Sequence, residues 1–226
     1  MRSWDEENES LFSSWSDERV NQMERGHEVG VSFAMDIFRI LFPRLDARVL
    51  DLGCGSGHLC FHLLKEYPPL FERGQVIGLD ISKKMISRAK ETKAKLNLEF
   101  KGVPNLHPLR FIQGEFTCIA SKLGVFNFII SLESIYYMNC LEKALRSIYD
   151  ILAVEGIFLL MLEEGMLATG DQVIDEQRLA FLKNEININS IHFIQLDDYK
   201  EFLRAASFKN IETKFESGFV FILAHK

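Results

Sequence analysis

Short apolar runs alternate with amphipathic segments along most of this chain, and their order predicts an α/β fold. Apolar residues recur every three to four positions over 27–42, which predicts a helix that ends at Pro43. Further along, almost wholly apolar runs predict buried strands at 49–52, 75–80, 109–113, 125–131 and 156–162. Helical patterns separate these strands, so we expect a parallel sheet with helices on both faces.

The end of the chain follows a different order. A predicted helix over 196–206 is followed by two strand-like runs, 208–215 and 219–224. The three residues between these runs, 216–218, are short enough for a hairpin. We therefore expect a Rossmann-like, seven-stranded sheet that is mostly parallel and ends in an antiparallel hairpin. Residues 97–108, which contain a glycine and two prolines, are predicted to form a loop.

An acidic residue and alternating glycines connect the first predicted strand to a helix. Asp51 lies near the end of the strand, and Gly53, Gly55 and Gly57 follow it. A strand, a glycine turn and a helix form the unit that holds a nucleotide-like ligand, because glycine lets the ligand approach the backbone. The dinucleotide fingerprint needs a third glycine where this chain has His58, which argues against a nicotinamide oxidoreductase. A carboxylate at this entrance suits a cationic ligand better than a pyrophosphate.

This turn, together with Gly-Leu-Asp-Ile-Ser-Lys-Lys-Met at 78–85, resembles the first two motifs of the class I S-adenosylmethionine-dependent methyltransferases. The resemblance covers roughly residues 45–226. It implies S-adenosyl-L-methionine as methyl donor and S-adenosyl-L-homocysteine as product, with Asp80 on the ribose diol and Ile81 against the adenine. Glu115 stands where the family often has an aspartate near the adenine amino group. The predicted cofactor site comprises Asp51, Gly53, Cys54, Gly55, Gly57, His58, Asp80, Ile81, Met85, Glu115, Phe116, Ser131 and Leu132.

The segment after the fourth strand, 131–137, resembles the fourth motif of small-molecule methyltransferases. It lacks the Asn/Asp-Pro-Pro-Tyr/Phe sequence of many enzymes that methylate amide or exocyclic base nitrogens. Because the cofactor carries an activated methyl group, positioning supplies much of the catalysis, and a general base is needed only for a protonated nucleophile. The catalytic residue is therefore left unassigned, and each candidate has a purely structural alternative. The candidates are Glu133, Tyr136, Tyr137 and His27, with His58 as a further one.

Two segments are predicted to flank the ligand. Residues 1–44 are expected to form an N-terminal helical lid or appendage on a methyltransferase domain at 45–226, with Trp15 as an anchor and Met23 or His27 in the pocket. The alternative is a helical appendage that only packs on the sheet. Residues 163–190 are expected to cover the substrate, and their acidic side chains would suit a cationic or amine acceptor. Acidic runs also commonly mark a solvated surface.

Composition narrows the class of protein further. The formal net charge of −6 over 226 residues disfavours a large nucleic-acid surface, so we expect no DNA partner. The four cysteines have no metal-site spacing, and we expect them to be reduced and mostly buried, with no metal bound. A polar N-terminus without a secretory signal, and the lack of an apolar run of ~18 residues, predict a cytoplasmic protein without a membrane span.

The sequence thus predicts methyl transfer to the nitrogen or oxygen of a small-molecule acceptor by a monomer or homodimer. Two alternatives stay open. One is a methyltransferase-like protein that binds the cofactor or a partner without its own activity, and the other is a protein or RNA methyltransferase.

Overall fold

The computed structural model describes residues 3–41, 46–67, 74–99, 109–184 and 187–226. The helices are α1 (Trp4–Ser14), α2 (Asp17–Gly26), α3 (Glu28–Leu41), α4 (His58–Glu66), α5 (Lys83–Glu99), α6 (Phe116–Leu123), α7 (Leu141–Ile151), α8 (Gln172–Asn184) and α9 (Leu196–Ala205). The strands are β1 (Arg48–Leu52), β2 (Gln75–Asp80), β3 (Leu109–Gln113), β4 (Phe126–Leu132), β5 (Leu152–Glu163), β6 (Lys209–Glu216) and β7 (Phe219–His225).

The strands form one seven-stranded sheet in the order β3-β2-β1-β4-β5-β7-β6. β1 pairs in parallel with β2 and β4, and β3 and β5 extend the parallel part on either side. β7 lies antiparallel between β5 and β6, so the C-terminal hairpin inserts its last strand next to the parallel sheet. This topology confirms the predicted fold class. β5 begins at Leu152, four residues before the predicted start at Gly156.

The predicted end of one helix and one predicted loop can be compared with the structure only in part. The predicted helix end at Pro43 lies outside the described residues. Residues 97–99, the start of the predicted loop at 97–108, instead belong to the last turn of α5, since the glycine and the prolines that break the helical pattern come later. The rest of that predicted loop lies outside the described residues.

Two apolar layers cover the faces of the sheet, because successive residues of a strand point to opposite sides. In β1, Val49 belongs to the layer under α3, α4 and α5, whereas Leu50 belongs to the layer under α6, α7 and α9. Both side chains have 0 % exposure. The doubly covered sheet leaves the carboxyl ends of the parallel strands as the edge where a ligand can reach the backbone.

Side-chain caps fix the two N-terminal helices. Ser3 and Glu6 form a capping box at the start of α1, and the Ser16 hydroxyl accepts the Arg19 N–H at the start of α2. The side chains of Trp4 and Asn8 donate to the Tyr137 carbonyl at 2.6 and 2.7 Å. α1 is therefore held against the loop that follows β4.

Two further expectations concern the burial of the cysteines and a membrane span. Cys54 and Cys60 are buried, but Cys118 and Cys140 are exposed, so the prediction of mostly buried cysteines was right for half of them. The two exposed residues lie at the start of α6 and just before α7, where the apolar pattern is interrupted. Among the described residues, no helix is both long enough and apolar enough to cross a lipid bilayer.

Candidate active site

The glycine turn after β1 packs against the end of β2. The N–H groups of Gly53 and Cys54 both donate to the Leu79 carbonyl, at 2.8 and 3.0 Å. Gly53 has a φ of +78°, and a Cβ there would lie 2.1 Å from Cβ of Ser134, so only glycine fits. The turn is thereby fixed at the carboxyl edge of the sheet.

Gly55 differs from Gly53 in what surrounds it. Its φ is +52°, and a Cβ there would have only Cε of Met23 within 4 Å, at 3.8 Å. The Gly55 N–H donates to Oδ2 of Asp80 at 2.8 Å, and Oδ1 of Asp80 accepts the Ser82 N–H at the same distance. Asp80 therefore ties the turn to the start of α5 while its backbone lies at the end of β2.

Two carboxyl groups lie close to the turn with unusual acidities. Burial raises the pKa of Asp51 to about 7, although a hydrogen bond from the Cys60 thiol opposes the shift. Burial also raises the pKa of Asp80 to about 6, against the two backbone N–H donors. Both groups lack a cationic side-chain partner among their hydrogen bonds in the described structure. A cationic ligand would favour their ionised forms.

A cavity, called the first cavity below, opens above this turn. Most residues of the predicted cofactor site line it. Its walls come from the ends of β1, β2 and β4, from the starts of α4, α5 and α6, and from α1 and α2. The predicted residues that line it are Asp51, Gly53, Cys54, Gly55, His58, Asp80, Ile81, Met85, Glu115, Phe116 and Leu132.

Three predicted residues lie elsewhere. Gly57 caps α4 with a φ of +89°, and a Cβ there would meet the Phe111 ring at 2.7 Å, so this glycine serves packing. The Ser131 hydroxyl is buried at 0 % exposure and bonds to the Ser134 hydroxyl at 2.7 Å. Tyr136 is 1 % exposed and lines neither cavity, so its position removes it from the candidate catalytic residues.

Glu115 lines the first cavity but also caps α6. Its carboxylate accepts the N–H groups of Thr117 and Cys118 at 2.8 and 2.7 Å. Partial burial opposes ionisation, but the hydrogen bonds from Cys118 and Thr117 outweigh it and lower the pKa of Glu115. The glutamate is therefore anionic at the cavity wall, with part of its hydrogen-bonding capacity used by the helix.

A second cavity adjoins the first. It lies between α2, α8 and the end of β5, and the two cavities share five residues, Phe12, Met23, His27, Glu133 and Tyr137. The predicted lid residues Trp15, Met23 and His27 all line it. Its other walls are mainly apolar, with Met166, Ile174, Phe181, Leu182, Ile188 and Phe219 beside the polar residues Arg19, Gln22, Gln177, Arg178 and Glu163.

The boundary between the cavities carries a hydrogen-bonded pair. Nε2 of His27 lies 2.9 Å from Oε2 of Glu133, and the two side chains are 19 % and 13 % exposed. Glu133 adopts a φ of +51°, which is uncommon for a residue with a side chain, and its Oε1 is buried without a hydrogen-bond partner. The residue that follows β4 thus carries a strained backbone and contributes its side chain to both cavities.

The segment 163–190 contributes to the second cavity through its apolar side chains more than its acids. Among the five acids in the prediction, Glu163 lines the cavity. Asp171 instead accepts the N–H groups of Val173 and Ile174, and Asp175 accepts those of Thr169 and Gly170. Since Arg19 and Arg178 also line this cavity, its charged lining within the described residues is mixed rather than acidic.

Several cavity residues carry no direct signal in the sequence. Asn8 of α1 and Glu24 of α2 line the first cavity, and Glu24 accepts a hydrogen bond from the Ser56 hydroxyl of the glycine turn. Arg178 lines the second cavity and donates to the Leu167 carbonyl at 3.1 Å. These residues sit on helices whose placement depends on contacts with distant parts of the chain.

Comparisons with known proteins agree with this fold. The model of a family described as "Methyltransferase domain" matches residues 44–207. A ubiquinone/menaquinone biosynthesis C-methyltransferase of Rickettsia typhi is 25 % identical over 202 residues, which are 80 % of this chain and 76 % of the relative. Three other curated relatives match over only 40 %, 36 % and 59 % of their own lengths.

Solved structures share the fold. The complex between the Haloferax volcanii Trm112 methyltransferase activator and a putative methyltransferase matches with a TM-score of 0.70 and 18 % identity, over 95 % of this chain and 96 % of the other. Human N-acetylserotonin methyltransferase in complex with S-adenosylmethionine matches with a TM-score of 0.59 and 16 % identity, over 92 % of this chain and 54 % of the other.

The chain belongs to this methyltransferase family and is a class I enzyme that depends on S-adenosyl-L-methionine. The site fits that cofactor, because an open glycine turn, the buried Asp51 and the partly buried Asp80 suit a ligand with a sulfonium, an ammonium and a ribose. Neither carboxyl has a cationic side chain among its hydrogen bonds within the described residues. When bound, the cofactor supplies an electrophilic methyl group on a positively charged sulfur.

Proposed function

We propose that this protein transfers the methyl group of S-adenosyl-L-methionine to a nitrogen or oxygen of a small molecule that occupies the second cavity. One observation carries the proposal. A mainly apolar cavity shares a wall of five residues with the cavity of the glycine turn, so an acceptor and a methyl donor would meet at that wall. Direct placement of the two reactants is the main source of rate in such a transfer.

The composition of the second cavity supports an acceptor with an apolar body and at least one polar group. Trp15, Phe181 and Phe219 offer ring surfaces, and Arg19 and Arg178 offer hydrogen-bond donors. Glu163 faces the same space, and burial together with the nearby Glu133 raises its pKa. A cavity with both signs of charge and much apolar surface suits a small organic molecule better than a nucleic-acid backbone.

The experiment is a transfer assay with S-adenosyl-L-methionine labelled with tritium in the methyl group. Phenols, alcohols, amines and carboxylic acids with apolar bodies serve as acceptors, and products are identified by mass spectrometry. We expect label in one chemical class of acceptor and none with the Asp80→Ala variant. Cofactor binding without label in any nitrogen or oxygen acceptor would contradict the proposal.

A pair of phenylalanine variants tests the location of the acceptor. Phe181 lines the second cavity and is 56 % exposed, whereas Phe215 is 60 % exposed and lines neither cavity. Phe181→Ala should raise the acceptor KM about threefold to tenfold and leave the affinity for S-adenosyl-L-homocysteine unchanged, because the loss of ring contact is worth about 1 kcal/mol. Phe215→Ala should change neither quantity. Equal KM values for both variants would place the acceptor elsewhere.

A second candidate is methyl transfer to carbon. The Rickettsia typhi relative that supports it is named a C-methyltransferase and matches 80 % of this chain. Carbon–carbon bond formation in the labelled product would select it. The Haloferax volcanii methyltransferase is in complex with an activator protein, so the assay also tests whether this chain needs a partner. Activity of the purified chain alone would remove that requirement.

A further inference from the structure

We propose that His27 is the general base of this methyltransferase, that Glu133 positions it, and that the acceptor therefore carries a proton on its nucleophilic atom. This inference rests on the proposed function, because it assigns a role at the wall where acceptor and donor meet. It narrows the acceptor to hydroxyl, phenol or protonated amine compounds and excludes carboxylates, which are already ionised at neutral pH.

The five residues of the shared wall leave few groups that can accept a proton. Phe12 and Met23 have no titratable atom. Burial, followed by the charges of Glu133 and Glu163, raises the pKa of the Tyr137 phenol above its usual range, so this side chain keeps its proton. His27 and Glu133 are the remaining members of the wall, and their side chains offer an imidazole nitrogen and carboxylate oxygens as proton acceptors.

The hydrogen bond between these two residues sets their roles. Nε2 of His27 and Oε2 of Glu133 are 2.9 Å apart, and a carboxylate accepts the proton of that ring nitrogen. Nδ1 is then the nitrogen with a free lone pair. The carboxylate holds the ring orientation and stabilises the imidazolium that forms, which is the arrangement of a base supported by a third group.

The backbone holds Glu133 in a strained and anchored conformation. A φ of +51° costs a residue with a side chain about 1 kcal/mol or more, and such strain concentrates at functional sites. The Glu133 N–H donates to the Met161 carbonyl at 3.0 Å, which anchors the residue at the end of β4. Its Oε1 is buried without a hydrogen-bond partner, which is uncommon for a buried polar atom.

Other ionisable groups surround the pair. Asp51 faces it from the end of β1, Glu163 from the end of β5, Tyr137 from the turn after β4, and Arg19 from α2. In their ionised forms, Asp51, Glu163 and Glu133 attract a positive charge on the imidazole, and Arg19 repels it. A transient imidazolium is thus supported from two strands as well as by its own partner.

In the transfer step, the acceptor atom forms a bond to the methyl carbon while the carbon–sulfur bond breaks and leaves its electron pair on sulfur. The acceptor proton passes to Nδ1 of His27, during bond formation for a hydroxyl and before it for a protonated amine, whose nitrogen has no free electron pair until then. The positive charge of the sulfonium is lost and one proton is gained by the imidazole, so charge and atoms balance. Solvent then removes the proton from the partly exposed ring.

The test compares His27→Asn and Glu133→Gln with His62→Asn, a histidine that lines neither cavity. The readouts are kcat, KM and pH profiles with labelled S-adenosyl-L-methionine and the acceptor that the wild-type enzyme methylates in the panel. We expect kcat of His27→Asn to fall about 100-fold, and the acidic limb in its profile of log kcat, measured at saturating S-adenosyl-L-methionine and acceptor, to disappear. Glu133→Gln should lower kcat about tenfold with KM nearly unchanged, and His62→Asn should resemble the wild type.

Calorimetric titration of S-adenosyl-L-homocysteine separates folding from chemistry, since all three variants should bind it within about threefold of the wild type. His27→Asn and Glu133→Gln variants that bind it and keep wild-type kcat and pH profiles would overturn this inference while leaving the proposed function intact. A wild-type enzyme that methylates only carboxylates would also overturn it. A wild type that methylates no nitrogen or oxygen acceptor would overturn both.

Discussion

Asp51 and Asp80 link the sequence motif most directly to physical chemistry. Each is a carboxyl at the end of a parallel strand, and burial raises the pKa values to about 7 and about 6. An enzyme that binds a cation gains from such groups, because ligand binding restores a favourable environment to the carboxylate. In the ligand-free protein, no bound cation compensates these two carboxylates, so their burial lowers the free energy of unfolding.

The Asp51→Asn variant tests this balance. An aspartate ordinarily has a pKa of 3.8, so the folded protein holds the Asp51 proton more tightly than the unfolded chain between that value and about 7. The protonated Asp51 contributes to the free energy of unfolding at low pH. This contribution, on the order of a few kcal/mol, is lost as pH rises through 7. The Tm of ligand-free Asp51→Asn should therefore exceed that of the wild type at pH 8 and approach it at pH 5.

The same substitution should weaken binding of S-adenosyl-L-methionine tenfold or more at pH 8, because an amide cannot compensate a cation. Asp150→Asn, which changes an exposed aspartate, is the control for both measurements. A Tm difference that does not vary with pH would contradict the assignment of the raised pKa to Asp51.

Gly55 and Gly218 form a matched pair of glycines. Both have positive φ, +52° and +82°, and neither has a close contact for an added Cβ. Gly55 lines the first cavity, whereas Gly218 lies in the β6–β7 hairpin. Each substitution by alanine should cost about 1 kcal/mol of stability from backbone strain.

Gly55→Ala should in addition weaken binding of S-adenosyl-L-homocysteine more than tenfold, because its methyl group enters the cavity. Gly218→Ala should leave that affinity unchanged. Calorimetry on both variants measures the difference, and equal affinities would show that ligand does not approach the turn.

At the scale of elements, the sequence predicted the sheet better than the site. Strand positions follow from apolar runs, and the glycine turn is local, so both are visible in short windows such as 48–57 and 75–80. The pair His27 and Glu133 joins residues 106 positions apart, and no local pattern encodes it. Tyr136 and Tyr137 are neighbours in sequence, yet one enters the core and the other lines both cavities, since a short 3-10 turn separates their directions.

The N-terminal helices depend on a small number of directional contacts. Asn8 is 3 % exposed, and its amide donates to the carbonyls of Tyr137 and Ser190 at 2.7 and 3.2 Å. Arg88 of α5 adds a surface contact with Asp17 at 2.6 Å. We infer that α1 and α2 cover the cofactor cavity by means of these contacts.

Asn8→Ala should destabilise the protein by about 1–3 kcal/mol, because two buried carbonyls lose a donor. Hydrogen exchange of α1 and α2 should become faster in this variant and slow down when S-adenosyl-L-homocysteine is added to the wild type. Glu18→Gln, on the exposed side of α2, should leave exchange unchanged. Hydrogen-exchange rates in α1 and α2 that change neither in Asn8→Ala nor on addition of the ligand would contradict a covering role.

The whole molecule places its chemistry at one edge of a doubly covered sheet. Two apolar layers hold the strands, and the carboxyl ends of β1, β2 and β4 deliver Asp51, Asp80 and Glu133 to adjoining cavities. The N-terminal helices and α8 complete the walls from outside the sheet. A ligand that binds only the folded state should therefore stabilise the entire fold.

The central claim is that the glycine-turn cavity binds the methyl donor, and calorimetric titration of the full chain tests it most directly. We expect S-adenosyl-L-methionine and S-adenosyl-L-homocysteine to bind with one site per chain and micromolar Kd, on the order of −8 kcal/mol. NADH and ATP should give no measurable heat of binding. Absence of binding by both sulfur compounds, or equal binding of NADH, would contradict this claim.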